Sequence, residues 1–147
     1  MNALEGSKTD AKLSNGDIAT NATHQQSIDT LGFDYASIDV CFEPVAAAGT
    51  NSAVAVALKL QQGDTTSSYA DVSGFVGGTD FTVPTPSDTT STSVVRFNVD
   101  MRGKKRYLNV YATPNAASPV VSVARLGKPE EAPIAATAAG VDVFVSG

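Results

Sequence analysis

The sequence has no tryptophan, one cysteine, one histidine and only ten phenylalanine and tyrosine residues in 147. Each shortage excludes something. A single thiol, Cys41, closes no internal disulfide, so stability has to come from packing, hydrogen bonds and assembly, and the chain suits a reducing cytosol. His24 and Cys41 lie far apart and make no conventional zinc set, so neither a metal nor another cofactor is expected. With few aromatics, the 42% hydrophobic content rests largely on alanine and valine, which implies a thin, β-branched core of the kind a partner subunit often completes. Cations are outnumbered as well. Ten Lys and Arg against 15 Asp and Glu give a net charge of −5, which argues against direct nucleic-acid binding. No apolar run approaches bilayer-spanning length, and the first residues lack the basic start and apolar run of a secretory signal. No membrane partner is expected, and synthesis in the cytoplasm is.

What the chain does have is a period of two. Between Ser93 and Ala112, Val95, Phe97, Val99 and Met101 alternate with polar residues, and Leu108, Val110 and Ala112 alternate with Tyr107, Asn109 and Tyr111. Such alternation places one set of side chains on a buried face. The break is Arg102-Gly103-Lys104-Lys105, where glycine supplies the positive φ of a tight loop, so the stretch reads as a β-hairpin. Ala36, Ile38, Val40 and Phe42 alternate with Ser37, Asp39, Cys41 and Glu43 until Pro44 stops the run. Val54, Val56, Leu58 and Leu60 alternate with alanines and Lys59; alanine favours helix, but the period favours a strand. Val120 to Leu126 reads as a strand buried on both faces, stopped by Gly127-Lys128-Pro129. Gln61 to Thr92 lacks strong periodicity and reads as a loop region with short strands around Tyr69, Phe75 and Phe81. Val141 to Val145 reads as a terminal strand in need of a partner.

These signals predict an all-β, single-domain β-sandwich or jelly roll, with residues 1–16 as an extended or disordered N-terminal arm and 17–147 as the domain with its C-terminal strand. The expected core is Ile38, Val40, Phe42, Val56, Leu58, Phe97, Val99 and Leu108.

No catalytic constellation is legible, and an enzyme is not expected. Gly74-Phe75-Val76-Gly77-Gly78 lacks the Lys-Ser/Thr that completes a phosphate-binding loop and reads as a turn. Asp29 and Asp34 flank Gly32, but two carboxylates fall well short of a calcium shell, and they read as turn formers. The one concentration of chemistry is Arg102, Lys104, Lys105 and Arg106, four of the ten cations in one loop. It reads either as a solvated tip or as a docking site for an acidic protein surface. Tyr107 and Tyr111, on one parity of the next strand, extend that surface or face a second sheet. Leu4 and Leu13 are the only apolar anchors in the arm, which stays disordered or orders on a neighbour.

Ile28-Asp29-Thr30-Leu31-Gly32-Phe33-Asp34-Tyr35 and Asn98-Val99-Asp100-Met101-Arg102-Gly103-Lys104-Lys105-Arg106-Tyr107-Leu108 resemble segments of small β-rich virion proteins of tailed bacteriophages. The resemblance runs from about Ser27 to Leu126. It implies a capsid decoration, or cement, protein that binds the major capsid protein outside a completed head, commonly as a homotrimer, and braces the shell against internal DNA pressure. The site residues expected on that reading are Arg102, Lys104, Lys105, Arg106, Leu4 and Leu13. The alternative is a receptor- or carbohydrate-binding β-sandwich of a phage tail or fibre, and its mark is exposed aromatics lining a groove.

Overall fold

The structure is a computed structural model and describes residues 7–19, 22–44, 52–85 and 90–127. Eight strands follow one another: β1 (Lys8–Leu13), β2 (His24–Asp29), β3 (Tyr35–Phe42), β4 (Ala55–Thr65), β5 (Ser68–Val76), β6 (Ser93–Asp100), β7 (Tyr107–Pro114) and β8 (Val120–Gly127). They form two four-stranded antiparallel sheets, the first in the order β1-β8-β3-β6 and the second in the order β2-β7-β4-β5. β4 pairs with β5, β3 with β6, β2 with β7 and β1 with β8. This is one antiparallel ribbon folded over on itself, the jelly-roll arrangement of a β-sandwich.

Alternation builds the core. Ile38, Val40 and Phe42 from β3, Phe97 and Val99 from β6, and Val120, Ala124 and Leu126 from β8 point inward from the first sheet. They meet Ile28, Leu58, Leu60, Leu108, Val110 and Ala112 from the second. Of the eight expected core residues only Val56 is misplaced, at 60% exposed. The β4–β7 register shifts between Ala55 and Ala57. One irregular residue moves Val56 to the outside while Ala55 and Leu58 stay in, since a slip of one position exchanges the two faces of a strand.

Three other expectations need correction. The run from Ser93 to Ala112 is two strands but not a hairpin: β6 pairs with β3 in one sheet, β7 with β2 and β4 in the other, and residues 101–106 cross between them. Its buried faces oppose each other across the sandwich, a pattern periodicity does not distinguish from neighbours in one sheet. The region from Gln61 to Thr92 holds the fold's tightest hairpin, because β4 runs on to Thr65 and β5 begins at Ser68. Its sequence is too polar on the outward face to announce a strand. Within the N-terminal segment read as an arm, Lys8–Leu13 is the edge strand β1, paired residue for residue with β8. Leu4 and the expected strand at Val141 to Val145 lie outside the described residues.

Between the sheets, on the β1–β2 side, runs a buried polar chain. Ser122 Oγ donates to Gln26 Oε1 (2.6 Å), so its only proton is used, and His24 Nε2–H donates to Ser122 Oγ (2.7 Å). Gln26 Nε2 donates in turn to the Asp10 carbonyl (3.0 Å) and to Asp10 Oδ1 (2.9 Å), tying β1 to the interior. Burial, aided by the Lys12 ammonium on β1, lowers the His24 pKa from its ordinary value. The unfolded chain therefore takes up the proton more readily than the folded one. The neutral ring's contribution is complete above about pH 6.5 and is lost as pH falls toward the lowered folded value. Denaturant midpoints are expected to drop between pH 8 and pH 5, and His24→Gln to flatten that dependence. Identical slopes for the two proteins would remove His24 from the account.

Candidate functional site

Register places three connections at one end of the sandwich: residues 30–34 between β2 and β3, the Thr66-Ser67 turn between β4 and β5, and residues 101–106 between β6 and β7. The start of β1 and the end of β8 lie at that end too, since Lys8 pairs with Leu126 and Tyr35 with Gly127. The described chain thus enters β1 and leaves β8 at this same end.

The 101–106 connection is braced rather than free. Met101 N–H donates to the Asp34 carbonyl (2.7 Å), Lys104 N–H closes a turn on the Met101 carbonyl (3.0 Å), and the Arg106 carbonyl accepts from both Thr30 N–H (3.1 Å) and Thr30 Oγ1 (2.5 Å). Gly103 sits inside the turn at φ 81°, a conformation that costs most side chains strain. The expected basic cluster is present, but three of its four members carry a carboxylate. Arg102 forks onto Asp100 (2.9 and 2.6 Å), Arg106 forks onto Asp29 (2.9 and 2.8 Å), and Lys105 reaches Asp64 (2.5 Å). Hydrogen bonds from Arg106 hold the Asp29 carboxyl down at about 2, and those from Arg102 hold Asp100 at about 2. Lys104 makes no ion pair of its own among the described residues, although its charge adds to the field on Asp100. This end is therefore a mosaic of exposed pairs rather than a block of positive potential, and such pairs contribute little to stability.

Leu13 does not join it. It is 66% exposed at the far end of β1, on the outer face of the first sheet. There it begins a cross-strand row, Leu13–Val121–Cys41–Val94, that spans all four strands. Cys41 is half-buried in that row, and burial, with Asp39 beside it, pushes its thiol pKa up, the opposite of what a nucleophile needs. The Ser122–His24 contact resembles a nucleophile–base pair, but Ser122 is 0% exposed and its proton is committed to Gln26. Among the described residues no group of three or more His, Cys, Asp or Glu is arranged to hold a metal.

Tyr107 and Tyr111 face away from the first sheet, on the outer face of the second, with Asn109 between them on the central strand β7. Asn109 donates to Gln25 Oε1 (3.2 Å) and Gln61 Oε1 (3.0 Å), and Gln61 Nε2 donates to Asp71 Oδ1 (2.8 Å), so one hydrogen-bonded row crosses the whole sheet. Tyr69 reaches from β5 over Gly63 to Ser27 on β2, its hydroxyl donating to Ser27 Oγ (2.6 Å). Lys59 stacks 5.1 Å from the Tyr111 ring centre, and Arg106 4.9 Å from that of Tyr107. The parity of Tyr107 and Tyr111 is visible in the sequence; Tyr69, Gln25 and Gln61 come from strands it hides. Compared with protein-family models, with curated proteins and with solved structures, the chain matches none.

Proposed function

We propose that the protein is a non-enzymatic virion component, a capsid decoration protein that binds the major capsid protein on the outside of a phage head and stabilises the shell. The observation that carries this reading is that the start of β1 and the end of β8 lie with the charged loops at one end of a jelly roll. A sandwich with several loops and both of its terminal strand ends at one end is suited to bridging neighbouring subunits of a lattice. The charge pairing refines the reading. With Arg102, Lys105 and Arg106 already matched, docking depends on the summed contacts of the tails, Leu4 included, and on partner exchange at the pairs, rather than on net positive charge. Homotrimer formation belongs to the same proposal, and the apolar row from Leu13 to Val94 supplies a surface for it.

The test is co-sedimentation of purified protein with undecorated heads. Wild type is expected to pellet with the heads, deletion of residues 1–6 to weaken binding at least tenfold, and Lys104→Glu/Lys105→Glu to weaken it further at low salt than at high salt. A wild-type protein left in the supernatant at every salt concentration ends the decoration reading. Binding that neither variant changes retains the role and removes these contacts.

A further inference from the structure

The outer face of the second sheet is unlike an ordinary solvated sheet surface. It carries three of the chain's four tyrosines, and the centre of the face is built from neutral amides. Asn109 points outward from β7 yet is only 1% exposed, because large neighbours wall it in. Its two N–H donors are both committed, which fixes the amide planes of Gln25 and Gln61. The charges bordering the face cancel in pairs, Lys59 with Asp71 and Arg106 with Asp29. Gln25 Nε2 and the hydroxyls of Tyr107 and Tyr111 have no hydrogen-bond partner among the described residues.

We propose that this face binds a neutral oligosaccharide chain, laid along β7 with sugar rings against Tyr107 and Tyr111 and hydroxyls on the Gln25 and Gln61 side chains, which the buried Asn109 amide holds in place. The chemistry selects the ligand class. Pairwise cancellation of charge removes the attraction that a nucleic acid or an acidic polymer requires. A docked protein wants an apolar centre to its interface, and the centre of this face has no aliphatic side chain. A neutral sugar wants the two things present: tyrosine rings for its C–H faces, and planar polar groups already locked in place so that little entropy is lost on binding. Tyr107 and Tyr111 are separated by four residues of strand, about 14 Å, so the face accommodates an extended chain rather than one monosaccharide. The site is on the flank of the sandwich, on the outer face of the second sheet, and meets the charged loops only at its Tyr107 end.

Because the protein has no tryptophan, its emission is tyrosine emission, and most of that chromophore lies on the proposed site. The full-length protein is to be titrated with amylose, mixed-linkage β-glucan, xylan, galactomannan and dextran, following tyrosine fluorescence and mobility in gels containing each polymer. Binding of at least one polymer is expected, saturable and unchanged between low and high salt. Tyr111→Ala is expected to weaken it at least tenfold. Gln25→Ala, an exposed change on an edge strand, is expected to weaken it threefold or more, and Thr9→Ala, exposed on β1 of the other sheet, to leave it unchanged. Failure to bind any of the five polymers overturns the proposal. So does binding that high salt abolishes, or binding that Tyr111→Ala and Gln25→Ala both leave intact.

Discussion

Phe97→Ala is expected to lose roughly 3–5 kcal/mol of stability, the range for removing a buried phenylalanine and leaving a cavity. Phe97 is 4% exposed on β6, and two further rings hold it edge-on: Phe75 from β5 at 5.9 Å and Phe81 from the connection after β5 at 5.6 Å. β5 and β6 are edge strands of different sheets, so no ladder of hydrogen bonds closes that side of the sandwich. The three rings close it instead, each edge-to-face pair adding about 0.5–1.5 kcal/mol beyond the area it buries. Denaturant titration of the variant, compared with Phe75→Leu as a milder change in the same cluster, measures the effect. A midpoint within error of wild type would mean that the two sheets are held elsewhere.

Gly63→Ala is expected to cost about 3 kcal/mol or more, at or above the upper end for forcing an atom into a packed site. A Cβ at this position lies 2.2 Å from the Ser68 carbonyl oxygen, 2.9 Å from that of Thr65 and 3.1 Å from the Tyr69 ring. The first two are backbone atoms of the β4–β5 turn and cannot rotate away. The variant must open the turn, and Tyr69 then loses its line to Ser27. Gly127→Ala, which meets nothing within 4 Å, is the control and is expected to be nearly silent. Equal melting curves for the two variants would show that the turn adapts at no cost.

How far the fold could be read depended on which force wrote the pattern. One-sided burial writes itself into the chain, so β3 and β6 and the inward face of β7 were legible from Ile38 to Phe42, Phe97 to Met101 and Leu108 to Ala112. Partner choice does not: the same alternation serves a hairpin or a crossing between sheets, and the glycine-centred turn at Gly103 fits either. Strand β2 was nearly silent because two of its inward positions are His24 and Gln26, polar residues made tolerable only by Ser122 and Asp10 from distant parts of the chain. The basic loop was legible as composition, but its charge state was not, since Asp29, Asp64 and Asp100 reach it from three different strands or strand ends. The alternative reading asked for exposed aromatics, and their number in the sequence was discouraging. Their collection on one sheet face needed Tyr69 to cross two strands.

The nesting of the strand pairs sets an order of assembly. Thr65 finds Ser68 across a two-residue turn, whereas Phe42 must find Ser93, Asp29 must find Tyr107 and Lys8 must find Leu126. Each closure is longer than the one inside it, and the entropy lost in closing a loop grows with its length. The ribbon therefore zips outward from the β4–β5 turn, slowly, as non-local pairing requires. The β1–β8 pair closes the longest loop and has an open edge, so it is expected to form last and to open first. On a ribosome the chain waits until nearly all of the described domain has emerged before its first strand has anything to pair with.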